Sequence, residues 1–138
     1  MKNPPASVLV IESHLLAREA LYAAISGEPD LMVAAQPVNC TQVLDMVIKD
    51  NHDHFIFAFK PDIIVLAMGT SGLVELETLK SLRLYLPETQ ILVLTSIETD
   101  GQEQNARDCG AHAVLSRSTP RNELIATLRR LHQEQLEE

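Results

Sequence analysis

Four polar side chains and one alanine stand at predicted strand ends, where they could share one site. Each ends or follows a short apolar, β-branched run of the kind that forms a buried parallel strand. The carboxyl ends of parallel strands meet at one edge of a sheet, and open α/β sheets bind their ligands there. We expect these five residues to line a shallow pocket: Glu12, Ser13, Ala67, Thr95 and Arg117.

The hydroxyl groups near these strand ends lack the partners that nucleophilic catalysis requires. A serine nucleophile needs an adjacent base, and the sequence places none beside Ser13, Ser96 or Ser116. His14 would serve as a base only through the geometry of its loop. No glycine-rich dinucleotide or nucleotide phosphate loop follows the first strand. The pattern therefore favours a binding or signalling protein over an enzyme.

Strand and helix patterns alternate along the chain. Such alternation predicts an α/β fold, and right-handed crossovers leave few topologies. We predict a flavodoxin-like (βα)5 three-layer sandwich with a five-stranded parallel sheet of order 2-1-3-4-5. The predicted strands are residues 7–11, 31–36, 62–66, 90–96 and 112–116, and the predicted helices are 14–27, 41–49, 73–83, 101–110 and 120–136.

Length and composition fit one small domain. The chain has 138 residues, of which we assign 1–6 to an N-terminal tail and 133–138 to a C-terminal tail or the start of a linker. The net charge of -8 disfavours broad contact with nucleic acid or anionic membrane. Two cysteines without CxxC spacing fit a reducing compartment, and no apolar run approaches a membrane span. We expect a cytoplasmic protein.

Residues 50–59 lengthen the connection between the second helix and the third strand, and they hold all three phenylalanines. The segment fits an extended helix end or a loop whose aromatics pack on the domain edge. It also fits a partner-docking surface, or a metal site built from His52, Asp53 and His54. Three consecutive side chains do not converge easily on one ion, which weighs against the metal.

Four segments resemble the receiver domain of bacterial response regulators. The likeness covers about residues 7–132 apart from 50–59, and it is nearest to the branch usually joined to a helix-turn-helix output domain. Its motifs recur in the family's order and spacing. They read VLVIESHLLAREAL, KPDIIVLAMGTSGLVELETLKSLR, PETQILVLTS and CGAHAVLSRSTPRNELI.

The resemblance assigns a family role to each strand-end position. Receivers carry an acidic pair after the first strand, a phosphoryl-accepting aspartate after the third, a hydroxyl after the fourth and a lysine after the fifth. An aromatic residue three positions before that lysine acts as a switch. By position, the acidic pair falls on Glu12 and Ser13, the acceptor on Ala67, the hydroxyl on Thr95, the lysine on Arg117 and the switch on Val114.

These departures imply a degenerate receiver without phosphoryl chemistry. An acyl phosphate needs a carboxylate nucleophile, and Ala67 has none. Magnesium needs several oxygen ligands, but the resemblance leaves only Glu12 and the carbonyl of Gly69, enough for weak binding at most. We expect no catalytic residue, no resident metal and no cofactor. Arg117 either reaches across Ala67 to pair with Glu12 or points into water.

A second resemblance keeps an alternative function open. Glu12, His14 and Ala17 faintly resemble the Asp-x-His-x-x-Gly loop of cobalamin-binding domains, which share this sheet. Glutamate replaces the aspartate and alanine replaces the glycine. The alternative is a flavodoxin-like domain that binds a small ligand of the cobalamin type.

The receiver resemblance points to the face of the fourth helix, fifth strand and fifth helix as a protein-binding surface. Acidic residues cluster around the fourth helix and basic residues on the last helix. A two-fold axis would match acid to base twice and support a weak homodimer, although solvated helix faces explain the same charges. The residues are Glu98, Asp100, Glu103, Asp108, Arg121, Arg129 and Arg130.

The sequence thus predicts a non-catalytic, phosphorylation-independent receiver-like module of a two-component-type system. It is expected to act through a protein partner or a fused output domain. We expect no direct contact of this domain with nucleic acid or membrane.

Overall fold

The sheet has the predicted topology. A computed structural model of the chain describes residues 4–33, 39–48, 60–69, 72–96 and 101–137. The described residues form one parallel sheet of order β2-β1-β3-β4-β5, which confirms the flavodoxin-like receiver fold. The strands are β1 Ala6–Ile11, β2 Leu31–Val33, β3 Ile63–Ala67, β4 Gln90–Thr95 and β5 Ala113–Ser116.

Helices cover both faces of this sheet in the described part of the chain. They are α1 Leu15–Ser26, α2 Cys40–Ile48, α3 Leu73–Tyr85, α4 Gln102–Asp108 and α5 Arg121–Leu136. Buried side chains of α1 and α5 pack on one face, and those of α2, α3 and α4 pack on the other. No helix among the described residues is both long and apolar enough to cross a bilayer.

The central strands are apolar on both faces because helices cover both faces. In β1, Val8 and Val10 face α1 and α5, whereas Leu9 and Ile11 face the opposite layer. Burying each such side chain contributes about 1.5–3 kcal/mol before the cost of conformational entropy. This two-sided core fixes the strand ends and hence the loops that carry the site.

Several predicted boundaries of strands, helices and terminal tails differ from those of the structure. Ala6 belongs to β1 and is buried, so the ordered strand begins inside the segment assigned to an N-terminal tail. The helix α5 ends at Leu136, as its predicted range did, so it includes most of the segment 133–138 that was also assigned to a C-terminal tail or linker. Pro120 was expected inside this helix, but its extended ψ of 152° makes it the N-cap. The segment 50–59 lies outside the described residues.

Candidate functional site

An ion pair joins the residues that follow β1 and β5 at the carboxyl edge of the sheet. Nη1 of Arg117, in the loop after β5, lies 3.0 Å from Oε2 of Glu12, which follows β1. The Glu12 side chain is 2% exposed and that of Arg117 is 34% exposed. Of the two orientations that the sequence left open for Arg117, the structure has the one that pairs with Glu12.

The same guanidinium also binds the loop after β3. Nε and Nη2 of Arg117 donate to the backbone carbonyl of Met68, at 2.9 and 2.6 Å. Met68 directly follows Ala67, the last residue of β3. The planar fork of arginine suits this double contact, which a lysine ammonium would not reproduce. Arg117 therefore links the ends of three strands, β1, β3 and β5.

The buried carboxylate of Glu12 has partners for both oxygens. Oε1 accepts a hydrogen bond of 2.9 Å from the backbone N–H of His14, and Oε2 faces Arg117. Nη1 of Arg18 lies 3.5 Å from the Glu12 backbone oxygen. A buried charge is stable only when paired and hydrogen-bonded, and these contacts meet that need.

Two further side chains, which the sequence analysis did not single out, hold the loop after β3. Gln102, the first residue of α4, is 4% exposed. Its Nε2 donates to the carbonyl of Gly69 at 3.0 Å, and its Oε1 accepts from the N–H of Ser96 at 3.1 Å. A carboxylate oxygen of Glu75, in the first turn of α3, accepts from the N–H of Gly69.

Three of the remaining predicted positions serve packing, and the fourth is exposed. Thr95 is buried, and its Oγ1 lies 3.4 Å from the carbonyl of Leu115. Ala67 is buried in the cluster beneath α1 and α5. Val114 is partly buried against the opposite cluster, as an aliphatic side chain rather than a polar-edged aromatic ring. Ser13 is exposed.

These residues do not fit a magnesium ion. Glu12 is the one carboxylate that the family positions supply, and both of its oxygens already have partners. The carbonyl of Gly69, the other expected ligand, accepts from Gln102. Within the described ranges, no group of three or more His, Cys, Asp and Glu side chains is placed to hold a metal. Magnesium favours near-octahedral oxygen coordination, which this arrangement cannot provide.

Two of the predicted interface arginines form ion pairs with residues outside their own helix. Nη2 of Arg121 lies 3.0 Å from a carboxylate oxygen of Glu28, and Nη2 of Arg129 lies 2.6 Å from the other. Nε of Arg129 lies 2.8 Å from Asp30. These contacts tie α5 to the segment between α1 and β2. They weaken the electrostatic argument for a two-fold contact, because the two arginines already have acidic partners.

These ion pairs shift the ionisation of their members. Hydrogen bonds from Arg121 and then Arg129 lower the pKa of Glu28 below its ordinary value of 4.5. A hydrogen bond from Arg129 lowers the pKa of Asp30 below 3.8. The bonds to Asp30 and Glu28 raise the pKa of Arg129. The charged forms of all three groups are therefore favoured in the fold.

The other predicted interface residues are exposed on α4 and α5 or fall outside the described residues. Glu103 pairs with Arg107 at 3.4 Å, and Arg130 pairs with Glu134 at 3.2 Å, each one helical turn apart. Asp108 accepts a hydrogen bond from Gln104. Such exposed local pairs contribute little stability and leave the surface available. Glu98 and Asp100 lie outside the described residues.

Comparisons with known proteins agree with the fold. No protein-family model matches the chain. It is 26% identical over 126 residues, 91% of its length, to a nitrate/nitrite response regulator protein homolog of Haemophilus influenzae, covering 56% of that protein. It is 23% identical over 122 residues, 88% of its length, to the transcriptional regulatory protein LiaR of Bacillus subtilis, covering 54% of it.

The same fold occurs in the signal receiver domain of NarL from Mycobacterium tuberculosis. The TM-score is 0.76 at 21% identity, and the match covers 95% of this chain and 98% of that one. The chain spans about half the length of the curated relatives it matches. Together these comparisons show that the chain has the fold of CheY-like receiver domains.

Proposed function

We propose that this domain is a degenerate receiver that signals through protein contacts and without phosphorylation. The observation that supports the proposal most directly is which side chains stand at and beside the end of β3. Ala67 offers no nucleophile, and the nearby buried carboxylate, Glu12, is bonded to Arg117. A phosphoryl acceptor and its metal would need a carboxylate at the first position and free oxygens at the second.

Phosphoryl transfer from a small donor tests this proposal. The full chain is incubated with acetyl phosphate and magnesium, beside a receiver domain that keeps its acceptor aspartate, and both are analysed by intact mass and peptide mapping. We expect an adduct on the control protein alone. An adduct on the peptide 60–72 would contradict the proposal. An adduct on Ser13 or Thr95 would also contradict phosphorylation independence, while leaving the receiver fold in place.

The proposed partners are proteins. The two curated relatives are named as a response regulator homolog and a transcriptional regulator, and both are longer than this chain. Their names favour a role in two-component-type signalling, in which this domain regulates an output domain or contacts a separate protein. The net charge of -8 disfavours nucleic-acid binding by this domain itself, and two cysteines without CxxC spacing favour a cytoplasmic location.

A weak homodimer through α4, β5 and α5 is a further part of this proposal. Of its three basic residues, Arg130 alone lacks a partner outside its own helix among the described contacts. Arg130→Glu should therefore weaken any salt-sensitive association in sedimentation velocity runs. Arg129→Glu is the matched control. It makes the same charge change on the same helix, but at an arginine whose acidic partners already lie inside the chain. Association that is insensitive to both salt and Arg130→Glu would place the interface elsewhere.

A further inference from the structure

We infer that Arg117, Gln102 and Glu75 form a loop clamp that fixes the start of the β3–α3 loop, Met68 and Gly69, in one arrangement. In this loop clamp the guanidinium of Arg117 takes the position beside Glu12 that a metal cation would otherwise take. The inference goes beyond the proposed function, because it concerns how the domain is held rather than what it signals. It implies a constant interaction surface instead of one that switches between two states.

The first argument is that Met68 and Gly69, the described start of the loop, have partners for all of their backbone polar groups. The N–H of Met68 donates to the carbonyl of Leu94 in β4 at 2.8 Å, and its carbonyl accepts from Arg117. The N–H of Gly69 donates to Glu75, and its carbonyl accepts from Gln102. Moving this loop would break several partly buried hydrogen bonds at once, and each unsatisfied group carries a desolvation cost.

The second argument is that the clamp joins separate elements. Arg117 comes from the loop after β5, Gln102 from the start of α4 and Glu75 from the first turn of α3. Gln102 also binds the N–H of Ser96, directly after β4. The loop clamp therefore couples the β3–α3 loop to the positions of α3, α4 and β5. A movement of Met68 and Gly69 relative to α4 would have to release the Gln102 contact to Gly69.

The third argument is electrostatic. The guanidinium brings one positive charge to a carboxylate that is almost fully buried, and it binds a carbonyl on the neighbouring strand. A divalent cation held by Glu12 would need the carboxylate oxygen that now faces Arg117. Arg117 and a metal ion would therefore compete for one position.

Hydrogen–deuterium exchange of the full chain tests the fixed loop. Gln102→Ala and Arg117→Lys each remove part of the loop clamp, and Arg130→Ala is a matched control that removes an exposed pair on α5. We expect peptides spanning 66–76 to exchange at least about tenfold faster in both clamp variants, because local opening becomes easier. The control should match the wild type. Unchanged exchange in both clamp variants would overturn the inference.

Magnesium titration tests the stand-in role of Arg117. Ala67→Asp adds a carboxylate beside Glu12, and the paired variant Ala67→Asp with Arg117→Ala also removes the competing cation. We expect the paired variant to bind magnesium at least about tenfold more tightly by calorimetry, since only there is Oε2 of Glu12 released from Arg117. Equal affinities would overturn the inference.

These results are distinguishable from failure of the proposed function. Labelling by acetyl phosphate with a slow-exchanging loop would refute phosphorylation independence and leave the clamp in place. A fast-exchanging loop without labelling would refute the clamp and leave the proposed function in place.

Discussion

Removal of Arg117 should destabilise the fold far more than removal of an ordinary surface arginine. Arg117→Ala deletes the 3.0 Å contact to Glu12 and both hydrogen bonds to the Met68 carbonyl. What remains is a carboxylate that is 2% exposed, with one hydrogen bond from the N–H of His14.

The magnitude follows from the burial of the two partners. Breaking a fully buried ion pair costs about 3–5 kcal/mol, because the remaining charge loses its compensation. Here the Arg117 side chain is 34% exposed, so water can enter the vacated space and solvate Glu12 in part. We therefore expect a loss of about 2–3 kcal/mol in the free energy of unfolding.

A double-mutant cycle separates the pair from the other contacts. Glu12→Gln removes the charge but keeps an oxygen that can accept from the same donors, so it should cost about 1 kcal/mol. In the Glu12→Gln background, Arg117→Ala should cost about 1 kcal/mol less than in the wild type, because no charge is stranded. Urea denaturation followed by circular dichroism measures all four proteins.

Arg130→Ala is the control for this cycle. Arg130 makes an exposed contact to Glu134 one turn away, and such pairs contribute about 0.3–0.5 kcal/mol. If Arg117→Ala cost no more than this control, or if the cycle showed no coupling with Glu12, the buried ion pair would not support the site as described.

Three other outcomes follow from particular contacts. Since the pKa values of Glu28 and Asp30 are lowered in the fold, the stability they contribute is present above pH 4.5 and is lost as the pH falls through their folded values. Between pH 5 and pH 3, the melting temperature should therefore fall less steeply with decreasing pH in Arg129→Met than in the wild type. Equal slopes of melting temperature against pH would refute the assignment of this acid sensitivity to the ion pairs of Arg129. Ala67→Asp alone should not restore switching, because the loop clamp persists; ready phosphorylation of this variant with a changed oligomeric state would contradict that expectation. Burial raises the pKa of the Cys40 thiol to about 12, so alkylation mapped by mass spectrometry should modify it in unfolded protein and spare it in folded protein, and equal modification would be inconsistent with its burial.

The sheet could be predicted from the sequence because burial on both faces leaves a strong pattern. The runs that became β1, β3 and β4 are apolar without alternation, as strands covered on both faces require. The parallel arrangement predicted for these strands indicated which loops meet at one edge of the sheet. That edge placed Glu12 and Arg117 on one side of the sheet, but because β3 and β4 separate β1 from β5, the sequence left open whether the two side chains pair.

Helix faces were harder to predict where a helix is apolar on several sides. In α1, Ala17, Ala20, Leu21 and Ala24 follow the spacing of one helical face, yet Ala20 is exposed and Ile25 is buried. Leu15 and Leu16 are also exposed, so apolar residues occupy more than one face of this helix. Periodicity alone cannot orient such a helix.

The polar contacts that complete the site depend on tertiary packing. A glutamine in a polar helix usually faces water, and nothing in the sequence distinguishes Gln102 from Gln104 as the buried one. The ion pairs of Arg121 and Arg129 join residues 93 or more positions apart. The fold brings α5 beside α1, but the choice of Glu28 and Asp30 as partners needs side-chain coordinates.

The most direct test of the central claim is an amide NMR spectrum of the wild-type chain, recorded with magnesium alone and with magnesium plus acetyl phosphate. The amides to follow are those of Met68, Gly69, Ser96 and Arg117, which lie in or beside the loop clamp. A site closed by Arg117 and lacking an acceptor predicts no shift of these signals in either titration. Saturable shifts with magnesium, or a second set of signals with acetyl phosphate, would contradict a receiver that works without its metal and its phosphoryl group.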